Sequence, residues 1–146
     1  MTLRSEVLAL AFGALLILVT FGDDFLRVEG GTVVVGNLDT IFGYAFWRVL
    51  DVVYFAGTIA VFLLYGWVKG GFRLRFSSTN IILFASFLAV LTLISADDVA
   101  IALRLPLELP TSYWEAMAWI YPFYSAFAFF MFGRENQRNH VSERKV

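Results

Sequence analysis

The stretch Ala45–Val68 reads AFWRVLDVVYFAGTIAVFLLYGWV, and its reading decides the fold. A helix needs about 20 mostly apolar residues to cross the hydrocarbon core of a bilayer. This stretch has that length, and its only charges, Arg48 and Asp51, lie near one end. Tyr113–Phe132 is comparably long and apolar. Val7–Phe21 and Ile81–Ala96 reach span length by taking in a flanking polar residue or two. The pattern predicts an all-α membrane protein, a bundle of four transmembrane helices with spans at about 5–22, 43–68, 79–97 and 113–132. One domain, 1–133, holds the spans, and a polar tail, 134–146, follows it.

Composition agrees and removes much chemistry. Hydrophobic residues make up 60% of the 146 residues, against roughly 45–50% in soluble domains. A soluble chain this short cannot hide so much apolar surface in one core. Cysteine is absent, so disulfides, thiol catalysis and thiolate metal sites are excluded. The single histidine, His140, lies in the polar tail, which removes a bis-histidine haem or a histidine metal centre at membrane depth. A net charge of -1 without a basic patch gives no footing for nucleic acid. No G-x-S-x-G, H-E-x-x-H, Walker A or dinucleotide fingerprint occurs. An intramembrane aspartyl mechanism needs two carboxylates meeting at depth, and only Asp51 is placed for it. The expectation is a chain without catalytic residues and without a cofactor.

Arg4 ahead of a short apolar run has the look of a signal peptide, but no small-x-small site follows Phe21. The stretch is therefore expected to be retained as the first span. Orientation follows from the loops. The 69–79 segment carries Lys69, Arg73 and Arg75 with no acid, and the tail carries Arg134, Arg138, Arg144 and Lys145 against Glu135 and Glu143. The other two connections are acidic: Asp23, Asp24, Glu29 and Asp39 with Arg27, then Asp97, Asp98 and Glu108 with Arg104. The positive-inside rule places both termini in the cytoplasm of a multi-pass cell-membrane protein, as an even number of spans requires.

Local signals mark the ends. Asp39 or Thr40 is expected to cap the second helix, and the Ser77–Asn80 run the third. Ser112 and Glu115 fit a capping box for the fourth. Pro122 inside that span removes a backbone donor and is expected to kink it. Phe25–Val28 and Thr32–Val35 flank Glu29-Gly30-Gly31, which predicts a small β-hairpin in the first outer loop. Arg104–Pro110, with its alternation and two prolines, reads as an extended strip and not a helix.

Three groups of residues are candidates for function. Arg48 and Asp51 share a helix face and form an intramembrane charge pair, which begins a stripe through Tyr44, Phe55, Thr58, Phe62 and Tyr65. Charges at membrane depth face the protein interior, a partner or water. The pair is either the mouth of a proton or cation route or a structural ion pair near the interface. Asp97, Asp98, Arg104 and Glu115 form a candidate outer cation or ion-pair cluster. Asp97-Asp98 equally reads as the water boundary of the third span. The fourth span is rich in rings, and Trp119, Tyr121, Pro122 and Tyr124 are a candidate pocket for an apolar ligand or lipid tail. The plainer reading is an aromatic belt with phenylalanines against lipid.

Small residues recur at helix-packing spacing: Ala9 with Gly13, Ala56 with Ala60, and Ala85 with Ala89, Thr92 and Ala96. They serve either the bundle itself or a neighbouring subunit. The function expected is a non-catalytic accessory subunit of a membrane complex or homo-oligomer, with the lipid bilayer and other membrane subunits as partners. The alternative is a small oligomeric cation or proton channel or transporter. A weaker alternative is binding of an apolar cofactor or lipid by the fourth helix.

Overall fold

The structure is a computed structural model that describes residues 3–22, 35–103 and 105–143. Its helices are α1 (Leu3–Thr20), α2 (Val35–Lys69), α3 (Ser78–Ile94), α4 (Ala96–Leu103) and α5 (Thr111–Glu143). No strand occurs among the described residues. Two helical segments, Arg48–Lys69 of α2 and Thr111–Ser142 of α5, are long and apolar enough to cross a membrane, and α3 is a shorter apolar helix.

The end of α2 shows how sequence sets a boundary. Gly71 takes the left-handed φ of 66°, which costs glycine nothing. Its N–H bonds to the Val68 carbonyl at 3.2 Å, and the Phe72 N–H bonds back to Trp67 at 2.9 Å. This is the Schellman arrangement, and its usual apolar clasp is present as the Phe72 ring set edge-on against Trp67, 4.9 Å between centroids. After a connection of eight residues, 70–77, α3 opens as the sequence predicts. Ser77 is the N-cap, and its hydroxyl accepts from the Asn80 N–H at 3.3 Å.

In the bundle, α5 packs along α3 and α2, and α1 lies on α2 with a smaller contact to α5. The centre is a layer of rings. Phe62 of α2 stacks on Phe87 of α3 at 4.0 Å and leans on Phe132 of α5 at 4.7 Å. Tyr65 stacks on Phe129 at 4.0 Å. Phe62, Phe87, Phe129 and Phe132 are all sealed from the surface. Two glycines make this approach possible, because Gly66 of α2 faces the Phe132 ring and Gly133 of α5 faces the Tyr65 ring. Each ring fills the place where the opposing helix has no Cβ, so the two backbones draw together.

The outside differs from that of a soluble bundle, whose helices are apolar along one stripe only. Large apolar side chains stand exposed on every long helix: Leu10 and Ile17 on α1, Val49 and Val53 on α2, Ile82 on α3, and Phe123 and Phe127 on α5. Less than half of either long apolar helix is buried. The core helices of a soluble domain are, by contrast, mostly buried.

Several expectations about boundaries need correction. The second helix begins at Val35, so Asp39 and Thr40 lie inside it and not at its cap. The third ends at Ile94, where the Ser95 N–H closes on Leu91 at 3.0 Å. Asp97 and Asp98 therefore sit in the first turn of the short helix α4, just past the end of α3. The fifth helix starts at Thr111, which puts Ser112 inside the first turn in place of the N-cap. It runs through Pro122 and on to Glu143, so the polar tail is helical over its described part. Residues 105–110 are non-helical, as their prolines dictate. The hairpin expected over Phe25–Val35 lies outside the described residues except for Val35, which opens α2.

Candidate functional site

Arg48, Asp51 and Asp98, three of the charged residues singled out in the sequence, come from two helices that touch, α2 and α4. Asp51 and Asp98 stand at one open, largely apolar cleft of about 190 Å³, lined otherwise by Val52, Phe55, Val99 and Leu103. Arg48 precedes Asp51 by one turn on the same helix and is half-buried, as are both carboxyl residues. The cleft thus joins the two acidic sites that the sequence kept apart. Glu115 is exposed in the first turns of α5 and does not line it. The Asp97 side chain and all of Arg104 lie outside the described residues.

Below the cleft the inner face of α2 carries Thr58, fully buried, and there a hydroxyl cluster ties three helices. The Thr20 hydroxyl of α1 lies 2.7 Å from the Tyr121 hydroxyl of α5 and 3.2 Å from that of Thr58. Thr20 and Thr58 also donate back to the Leu16 and Tyr54 carbonyls, at 2.7 and 2.9 Å. In an apolar surrounding such interhelical bonds hold helices in one register. Ser125, one turn beyond Tyr121, is buried beside it, and its hydroxyl makes no well-formed hydrogen bond among the described residues. Below this cluster comes the ring layer, which leaves no polar group on the inner stripe of α2 between Thr58 and Tyr65.

The aromatic candidates of α5 point in different directions. Trp119 and Pro122 lie on the outer face, and Trp119 stacks on Phe123 at 6.3 Å. Tyr121 faces inward to Thr20, and Tyr124 is half-buried. The four residues are not gathered around a common space.

At the opposite end of the bundle the structure shows what the sequence did not. Two fully buried asparagines, Asn80 of α3 and Asn136 of α5, grip the backbone of Arg75 from both sides. The Asn80 amide donates to the Arg75 carbonyl at 2.7 Å, and the Arg75 N–H donates to the Asn136 side-chain carbonyl at 3.3 Å. Asn136 in turn donates to the Phe132 carbonyl at 2.8 Å. Nearby, the Lys69 ammonium reaches the Ser5 hydroxyl across to α1 and sits over the Tyr65 ring. A polar residue in a charged tail carries no periodic signal, so Asn136 was invisible in the sequence. No group of metal-ligating residues occurs among the described residues.

Comparison with protein families, with curated proteins and with solved structures gives no match for this chain.

Proposed function

We propose that this chain is a four-span integral membrane protein of the cell membrane with both termini cytoplasmic. In this reading it acts as a non-catalytic subunit of a larger membrane assembly or homo-oligomer. The observation that carries the reading is the placement of the small residues. Ala9 is buried and Gly13 faces the Phe129 ring, so that pair serves the bundle itself. Ala56, Ala60, Ala85 and Ala89 stand on the exposed faces of α2 and α3. Within lipid, small residues on an outer face let a second helix approach closely, and among the described residues no other helix of the protomer covers them. α1 and α3 are short for a span, and each reaches the needed length with its flanking turn.

Native mass spectrometry of gently extracted protein tests the reading. Further chains at fixed stoichiometry are expected, lost on Ala56→Phe with Ala60→Phe while the protomer stays helical. A monodisperse monomer with an activity of its own would sink it.

One observation favours a second reading, a proton or cation route. It is the meeting of Asp51 and Asp98 at one cleft. The sealed ring layer beneath closes that route within a single protomer, so conduction would run along an interface between copies. Proteoliposome flux is expected to fall at least several-fold in Asp51→Asn and Asp98→Asn if this reading holds. Equal flux in wild type and both variants rules it out.

A further inference from the structure

The connection between α2 and α3 is built more firmly than a link between two helices needs. At its start, the Schellman turn fixes Gly71 and Phe72, both with positive φ, and Phe72 holds a φ of 63° that non-glycine residues rarely adopt. At its end, two fully buried asparagines hold the backbone of Arg75, and Ser77 caps α3. Buried amides carry a desolvation cost that a flexible, solvated loop would avoid. Between these anchors the loop presents Phe72 and Phe76, which are 66% and 76% exposed and bracket Arg73, Leu74 and the half-buried Arg75. Arg73 is exposed. Trp67, against which Phe72 packs, belongs to the outward apolar face of α2, so the apolar surface continues from the helix into the loop.

We propose that this loop is a preorganised binding site for the headgroup of an anionic phospholipid. Its exposed Arg73 takes the phosphate, and Phe72 and Phe76 are seated among the upper acyl chains. The proposal rests on the membrane reading above and adds a ligand to it. Trp67, packed edge-on against Phe72, is of the ring type enriched at headgroup level, and a guanidinium fork matches a phosphate in two hydrogen bonds at once. The end of the bundle is basic beyond the loop: Arg4, Arg134 and Arg138 are exposed there, against an exposed Glu6 and a Glu135 that Arg138 already engages at 3.0 Å. Charge therefore selects an anionic headgroup, and the fixed rings place it at the membrane surface.

The test uses the full chain in nanodiscs of equal phosphatidylcholine and phosphatidylglycerol, released into a mass spectrometer with retained lipid counted. Phosphatidylglycerol is expected in excess, and Arg73→Ala with Arg75→Ala should reduce that excess on the order of tenfold. Arg73→Lys with Arg75→Lys should fall between, because charge is kept and the fork is lost. Should the double alanine variant not fold, the lysine variant and Phe72→Ser with Phe76→Ser carry the test. Lipid retained without preference, or a preference that neither pair of substitutions moves, overturns the proposal and leaves the membrane reading intact. Displacement by millimolar glycerol 3-phosphate would assign the arginines to a soluble phosphate ester and likewise overturn it. A chain that does not enter nanodiscs defeats both.

Discussion

Phe62→Ala is expected to destabilise the bundle by about 2–3 kcal/mol when unfolding is followed by SDS titration in mixed micelles. The same substitution in the core of a soluble protein costs about 3–5 kcal/mol, part of which is transfer of the ring from water. That part is missing when separated helices remain in lipid, since acyl chains are as apolar as the core. What remains is the cavity and the lost dispersion contacts. They are large here because Phe62 is fully buried and touches rings on two other helices, Phe87 at 4.0 Å and Phe132 at 4.7 Å. Leu18, 56% exposed on α1, is the internal control. Its alanine variant should change stability by no more than about 0.5 kcal/mol, because in the proposed membrane setting its neighbour is lipid in either state. Equal costs at the two positions would show that the ring layer is not the centre of the fold.

The contrast between Phe62 and Leu18 also shows what was legible in the sequence. Span length and apolar content mark where the helices run, and the inward stripe of α2 from Asp51 through Thr58 and Phe62 to Tyr65 follows from helical period alone. The structure buries Thr58, Phe62 and Tyr65 on that stripe. On the other helices, apolar residues face both lipid and core, so hydropathy does not tell Phe129, inside, from Phe127, outside. The small-residue pairs suffer from the same ambiguity: Ala9 and Ala56 look alike in sequence, yet one is buried and the other exposed. The convergence of Asp51 and Asp98 was also out of reach. It depends on the contact between α4 and α2, which lie far apart in the sequence, and no proline or glycine announces the break at Ser95 that precedes α4. Asn80 and Asn136 read as polar boundary residues, because the loop they grip is defined only by the meeting of α3 with α5.

Gly66→Leu should have the larger effect of the two substitutions, through overpacking and not through loss. A Cβ at Gly66 would fall inside the ring of Phe132 and close to the Asn136 amide. The ring cannot turn aside, because Phe62 backs it at 4.7 Å and it is 99% buried, with 1% of its surface exposed. Relief must come from separating α2 and α5, which also draws the Tyr65 ring out of its place opposite Gly133 and loosens the Asn136 hold on Arg75. Overpacking of a close-packed core costs about 1–3 kcal/mol for added methylenes and more where backbones must part. The leucine variant should lie at or above the top of that range, and Gly66→Ala near its middle. A double-mutant cycle identifies the cause. Combined with Phe132→Leu, which removes the ring atoms that the new Cβ meets, Gly66→Ala should cost less by about 1 kcal/mol. A cost unchanged by Phe132→Leu would mean that the glycine serves backbone flexibility, and the reciprocal glycine-to-ring seam would not be what holds α2 against α5.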